Sequence, residues 1–426
     1  MARKNPVFFG WYIVGTMVFG MTLAYGIRSS FSVFFPQLLD TFHWDRGVTS
    51  IMFSLNLLVC GIAAPLAGAL VDRWKPRVVV TSGIFLLGLS IAACYFADQL
   101  WHYYLLFGIL VPIGTALCGS PALNPAIMNW FQKRRGLAMG LGQIGGGFGF
   151  AYVLVVDWAM ELGKWQDCFL VMGGMVIVIM LPLYILFYYN RPRDRNRNMK
   201  AYGEGDAPEK AEAGSLVANA PDWTVRRALK THQLWLVVFA NFCFWGLGNY
   251  LVTAHQIQFA QDAGFNSLQA ASIFALYGII SIIGQLGASI SDNIGREKTI
   301  TIAVVLALAG LGSLMSVQGT SDMWKLYVYA VFAGLATGIF TPTVMVAAAD
   351  LFHGKNIGAI SALELTGLGI GGMIGPWLGG YIYDRQGSYL LAFYISLAAY
   401  AVSGISFWTA APRHADRLRA KLLKMK

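Results

Sequence analysis

Gly68-Ala-Leu-Val-Asp72-Arg73-Trp-Lys75-Pro-Arg77 closes one long apolar stretch, and Gly287-Ala-Ser-Ile-Ser-Asp292-Asn-Ile-Gly295-Arg296-Glu-Lys298 closes another in the same way. The two aspartates lie 220 residues apart. Pro121 and Pro342 are 221 apart, and Gly136 and Gly358 are 222 apart. Three landmarks in register predict a duplicated unit. Parallel repeats of this kind build transporters, with the substrate near the midplane between the halves.

Working outward, apolar stretches fall near 9–36, 48–71, 77–97, 101–128, 135–160 and 167–189. Six more fall near 232–259, 267–290, 298–318, 323–350, 355–383 and 388–411. A bilayer core about 30 Å thick needs roughly 20 apolar residues of helix. The pattern predicts an all-α membrane protein whose twelve transmembrane helices form two pseudo-symmetric six-helix bundles. The bundles are read as 1–190 and 232–412, joined by a charged cytoplasmic linker at 191–231 and followed by a basic tail at 413–426. The chain is 57% hydrophobic and 12% charged, against about 45–50% and 25% in soluble domains.

Charge sets the orientation. Of 31 Lys and Arg, 26 fall in the N-terminus, the even-to-odd loops, the linker and the tail. Arg46, Lys164, Lys325 and Arg385 fall in the opposite loops, and Arg28 falls within a span. Basic residues stay inside during insertion, so both termini are expected in the cytoplasm. Topology thus accounts for the net charge of +10, and no nucleic-acid partner is expected. The tail is placed at anionic headgroups. The first span reads as a signal anchor, because it is too long for a cleavable signal.

Five scattered cysteines show no CxxC or Cys/His spacing, so neither a metal site nor a disulfide framework is indicated. Gly140-Leu-Gly142-Gln-Ile-Gly145 and Gly367-Leu-Gly369-Ile-Gly-Gly372 match GxGxxG but lie in membrane helices without a βαβ context. They read as surfaces on which helices approach and slide, suited to an interface between rocking bundles. No cofactor is expected. Without a P-loop or a catalytic cluster, a primary pump and a membrane enzyme are both disfavoured.

The Asp-Arg and basic cluster after span two, with its echo after span eight, resembles the signature loop of the major facilitator superfamily. Tyr25-Gly-Ile-Arg28-Ser-Ser-Phe31-Ser-Val-Phe-Phe35 resembles the first helix of the monocarboxylate transporter and oxalate/formate antiporter group. So do Asn124 to Ala138, at the join of helices four and five, and His255 to Gly264, ending helix seven. The resemblance implies the major facilitator fold. It implies gating by Asp72, Arg73 and Arg77 in one half and by Asp292 and Arg296 in the other, with Asn293 in place of an arginine. It also marks departures. Many members carry an arginine in helix eight where this chain has Gln285, and the oxalate transporter has a lysine where this chain has Glu364.

Charges inside a bilayer cost at least about 2.5–3.5 kcal/mol on insertion scales, so they face a wet cavity or a partner. Arg28 can hold a carboxylate bidentately. Glu364 has three readings: proton carrier, receiver of a positive substrate group, or structural partner of Arg28. A carboxyl group taken out of water tends to keep its proton. Asp157 and Asp350 sit nearer helix ends and are read as interfacial or capping carboxylates. Among neutral residues, Tyr25, Asn124, His255, Gln256, Tyr277 and Gln285 are substrate-binding candidates. His255 is also a second proton-coupling candidate, since imidazole titrates near neutral pH, or it sits near the outer mouth.

The expectation is a monomeric, proton-coupled symporter in a plasma membrane, with a bacterial inner membrane favoured, carrying a small organic acid, a monocarboxylate first. Anion exchange and carriage of a zwitterion remain alternatives within transport. A channel or a sensor is the alternative from another class. Symmetric subunits around a pore would favour the first, and an appended soluble domain the second.

Overall fold

The computed structural model describes residues 8–131, 135–196, 199–202, 223–287, 290–352 and 357–414. Twelve long helices run through them. In the first half they are α1 Gly10–Phe42, α2 Arg46–Arg73, α3 Pro76–Phe96, α4 Leu100–Trp130, α5 Arg135–Glu161 and α6 Asp167–Phe187. In the second half they are α7 His232–Asp262, α8 Ser267–Gly287, α9 Arg296–Met315, α10 Met323–Leu351, α11 Ile357–Gln386 and α12 Leu390–Ala410. Ten stretches among the described residues are long and apolar enough to cross a membrane. Their outer faces carry bare aliphatic side chains, such as Val178 at 71% and Ile405 at 67% exposure. Such surface suits lipid rather than water.

The chain divides into two compact units, residues 1–31 with 62–207 and residues 32–61 with 208–426. The boundary therefore cuts α1 at the Ser30 break and cuts α2 at Gly61. At the break, the Ser30 hydroxyl donates to the Gly26 carbonyl at 2.8 Å.

Within the first unit, α1 lies along α5. Gly149 of α5 sits so close to α1 that a Cβ there would meet the Gly26 nitrogen at 2.9 Å, and Gly145 faces the Val18 carbonyl. The second unit repeats this contact between α7 and α11, where Gly371 and Gly375 face Gly246. The glycine stretches are thus packing surfaces inside a unit. Small residues let two backbones approach in a medium that gives helices no hydrophobic reason to associate. A second face of α11 meets α2 within the same unit. Gly369 lies against Gly61, and Gly380 against Arg46.

Three helices contain wider π turns, at Tyr104–Leu110, Val176–Met180 and Phe242–Tyr250. Such turns rotate side chains out of the regular helical register and often accompany function. The one in α7 carries Asn249. At the end of the first unit where α1 begins and α4 ends, Phe8, Trp130, Phe131 and Tyr202 form an aromatic cluster. The Tyr202 N–H donates to the Trp130 carbonyl at 2.8 Å, which ties the start of the linker beneath α4.

Candidate functional site

In the first unit, Arg28 lies on α1 just before the Ser30 break. It is 8% exposed and is the only buried Lys or Arg among the described residues. Its guanidinium carbon stands 5.3 Å from the centre of the Tyr25 ring. Tyr25 is fixed in turn by Gly149 of α5, packed against its Cβ. Helices α4 and α5 add an amide pair. The Gln143 Nε2–H donates to Asn124 Oδ1 at 3.2 Å, and the Ser120 hydroxyl donates to Gln143 Oε1 at 3.4 Å.

In the second unit, Glu364 lies on α11, two turns in from its start. It is 3% exposed, and its buried Oε1 has no hydrogen-bond partner among the described residues. A carboxyl group held this way needs a proton, a ligand or a cation to offset its lost hydration. Nearby helices carry a tyrosine–amide network. The Tyr277 hydroxyl donates to Asn249 Oδ1 at 2.9 Å, and the Tyr329 hydroxyl donates to Gln256 Oε1 at 3.0 Å. The amide nitrogens of Asn249 and Gln256 stay buried without acceptors among the described residues. Gln285 is half-buried where α8 crosses α10, its backbone nitrogen against Gly338.

His255 belongs to a different group of residues, set against Arg46. One ring nitrogen, Nε2, lies 2.8 Å from the Pro376 carbonyl and so carries a hydrogen. Nδ1 is left to accept from the Tyr389 hydroxyl at 3.4 Å. Tyr389 accepts from Arg46 Nη1 at 2.8 Å. Arg46 grips Asp262 with both Nη atoms, at 2.6 and 3.1 Å, and lies 3.6 Å above the Tyr383 ring. Asp384 caps the start of α2, accepting from the backbone N–H groups of Arg46 at 2.9 Å and Gly47 at 2.6 Å. One connected network thus joins α2, α7, α11 and α12. The sequence reading counted Arg46 only as a loop charge and did not single out Asp262, Tyr383, Asp384 or Tyr389. The available signal was a lone Arg in one loop and lone aspartates at two helix ends.

Among the signature residues, Arg296 donates from Nε to Asp350 Oδ2 at 3.0 Å and from Nη1 to Ser291 Oγ at 2.6 Å, all within the second unit. Arg77 donates to the Ile185 carbonyl and lies 5.0 Å from the Tyr189 ring, all within the first. Arg73 is exposed. The side chains of Asp72 and Asp292 lie outside the described residues. Asp350 is the expected interfacial carboxylate, 43% exposed at its side chain. Asp157 instead is 3% exposed, because α5 turns it inward.

The sequence profile of the Major Facilitator Superfamily matches residues 17–332 and 290–423, and the chain belongs to that family. Members are transporters, not enzymes. The chain is 26% identical over 402 residues to Monocarboxylate transporter 13 of Rattus norvegicus, covering 93% of this chain and 87% of that one. It is 27% identical over 429 residues to Monocarboxylate transporter 11 of Homo sapiens, covering 95% and 83%. It is also 22% identical to the MFS-type transporter YcxA of Bacillus subtilis, over 95% of both chains. Among solved structures, the nucleoside transporter NupG superposes with a TM-score of 0.70 at 13% identity, covering 94% of this chain and 100% of that one. A bacterial homologue of the human lysosomal transporter Spinster superposes with a TM-score of 0.68 at 17% identity, over 98% and 99%. These structures share the fold. The protein is thus a multi-pass membrane transporter of the major facilitator superfamily, related to monocarboxylate transporters.

Proposed function

We propose that this transporter carries a small organic acid, a monocarboxylate in the first instance, together with a proton, by alternating access. Arg28 supports this reading most directly. It is the only buried Lys or Arg among the described residues, and a guanidinium recognises a carboxylate with two parallel hydrogen bonds. Tyr25, Asn124, Gln256, Tyr277 and Gln285 are assigned to orienting the substrate, and Glu364 to carrying the proton. The names of the relatives agree with the substrate class. The proposed setting is a bacterial inner membrane, with both termini cytoplasmic and the protein a monomer.

His255 is assigned to the Arg46 network rather than to proton transfer. Both its ring nitrogens are engaged there, as a donor to Pro376 and an acceptor from Tyr389. A second reading, transport of a zwitterion, is favoured by one observation. Glu364 Oε1 has no partner among the described residues and suits an ammonium group as well as a proton.

Binding of carboxylates to purified Arg28→Gln and Arg28→Lys variants tests the assignment. The Gln variant is expected to lose affinity by at least about 30-fold, as for the loss of a charge-assisted pair worth roughly 2 kcal/mol. The Lys variant should recover only part, because a point charge replaces the planar fork. A folded Gln variant that binds as the wild type does would make the arginine structural and remove the reading.

A further inference from the structure

The flank of the second unit carries two adjoining clefts of about 520 and 650 Å³ between α9 and α12. Trp408 and Thr301 line both. The indole Nε1–H donates to Thr301 Oγ1 at 2.8 Å, so the ring is fixed rather than loose at the surface. The Arg413 guanidinium carbon stands 4.8 Å from the centre of the Trp408 ring. The Arg413 backbone is held independently, its N–H donating at 2.9 Å to Glu297 Oε1, a carboxylate turned inward at 5% exposure. Lys298 lines the second cleft and is exposed.

Below these cations the first cleft is apolar. Val304, Ala401 and Ile405 form its walls. Gly404 lets α12 pack close to α9, since an added Cβ there would meet Val304 Cγ2 at 3.3 Å. At 1.5 Å per residue, Val304 lies about 12 Å along α9 from Arg296. The cleft therefore runs from the charged helix ends into the hydrocarbon depth. An interfacial tryptophan alone is a common membrane anchor. Here the ring is pinned, the arginine is stacked on it, and an apolar wall continues beneath. Basic pockets between helices at a membrane surface receive anionic lipid headgroups.

We propose that these clefts form a binding site for one anionic phospholipid. Its phosphodiester faces Lys298 and Arg413, its glycerol backbone lies against Trp408, and one acyl chain lies along Val304, Ala401 and Ile405. The site is independent of the transported substrate.

The test is thermal unfolding of the full-length protein in detergent. It is titrated with dioleoylphosphatidylglycerol, dioleoylphosphatidylcholine or glycerol 3-phosphate, with retained lipid counted by native mass spectrometry. Phosphatidylglycerol should raise the unfolding midpoint with concentration and remain bound, while the other two should do neither. A Lys298→Gln/Arg413→Gln double variant should need about 30-fold more phosphatidylglycerol for the same shift, on the order of tenfold or less per charge. A Lys421→Gln/Lys424→Gln control should respond as the wild type does. An unchanged response in the double variant, or an equal effect of phosphatidylcholine, would overturn the site. A shift produced by glycerol 3-phosphate alone would make it a soluble-phosphate site instead.

Discussion

Two carboxylates of the second unit are held in opposite ways. Asp262 ends α7 with its side chain 29% exposed, gripped twice by Arg46 and once by Gln258 at 2.8 Å. Glu364 lies inside α11 at 3% exposure, with Oε1 lacking any partner among the described residues. A charge at a helix end can keep water and recruit an arginine, so it can remain ionised and hold structure together. A carboxyl group in the interior has neither, and stays stable only by exchanging something: a proton, a substrate cation or a counter-charge. The first arrangement suits a tie and the second suits a working group. Substitutions at the two places should therefore separate, one set affecting stability and the other affecting transport.

The largest effect is expected at Glu364. A glutamine there keeps the shape of the protonated acid and cannot release a proton. In vesicles, Glu364→Gln should exchange substrate at near wild-type rates while losing accumulation driven by a pH gradient. Its thermal midpoint should match or exceed that of the wild type. Full gradient-driven accumulation would break the comparison, because the buried carboxylate would then be as structural as Asp262. A fall in binding, greatest for ligands with an ammonium group, would point to substrate contact instead.

Next in size is the side of the membrane on which the Arg46 network lies. The charge distribution predicts it outside, on the side of Lys164 and away from Arg197. A cysteine introduced at Lys164 should react with an impermeant maleimide in whole cells, and one at Arg197 should not. The reverse pattern would put the tie on the cytoplasmic side.

Arg46→Ala should come third. It leaves Asp262 without its cation and removes a donor to Tyr389, a loss of about 2 kcal/mol for a partly exposed, charge-assisted pair. The thermal midpoint should drop, and a cysteine introduced at Ser50, buried beside His255, should become reactive. If neither changes, the network is decoration and the contrast with Glu364 loses one of its sides. The smallest effect is expected from Asp384→Asn. It keeps one acceptor for the start of α2 but loses its charge, so it should cost a few tenths to about 1 kcal/mol. A larger loss than that of Arg46→Ala, read from the same melts, would shift the weight of the tie from the arginine to the helix cap.

Much of the fold was legible because a membrane writes it in one dimension. Each span must be apolar over the bilayer thickness and must satisfy its own backbone, so length and hydropathy alone marked all twelve helices. The buried charges Arg28 and Glu364 were legible for the same reason: a charge stands out within an apolar run. The glycine stretches read as small-residue surfaces, and they are: they pack α1 on α5 and α7 on α11, and Gly369 and Gly372 also meet Gly61 and Leu57 of α2. Other features left no such trace. Asp157 looked interfacial by its place near the end of α5, and only the rotation of that helix turns it inward. His255 looked like a proton site by its residue type, and its neighbours Tyr389 and Pro376 put it in the Arg46 network.

The sequence by itself determined the number of spans, the duplication behind them, the expected direction of insertion and the family, since each depends on local composition or on short motifs repeated at fixed distance. Tertiary structure alone decided that Arg46 meets Asp262 across 216 positions of chain, and that Trp408 joins the cleft of Arg413 to that of Lys298. Those contacts depend on the angle and depth at which helices cross. Side chains hundreds of residues apart fix these jointly, and no single stretch of sequence carries them.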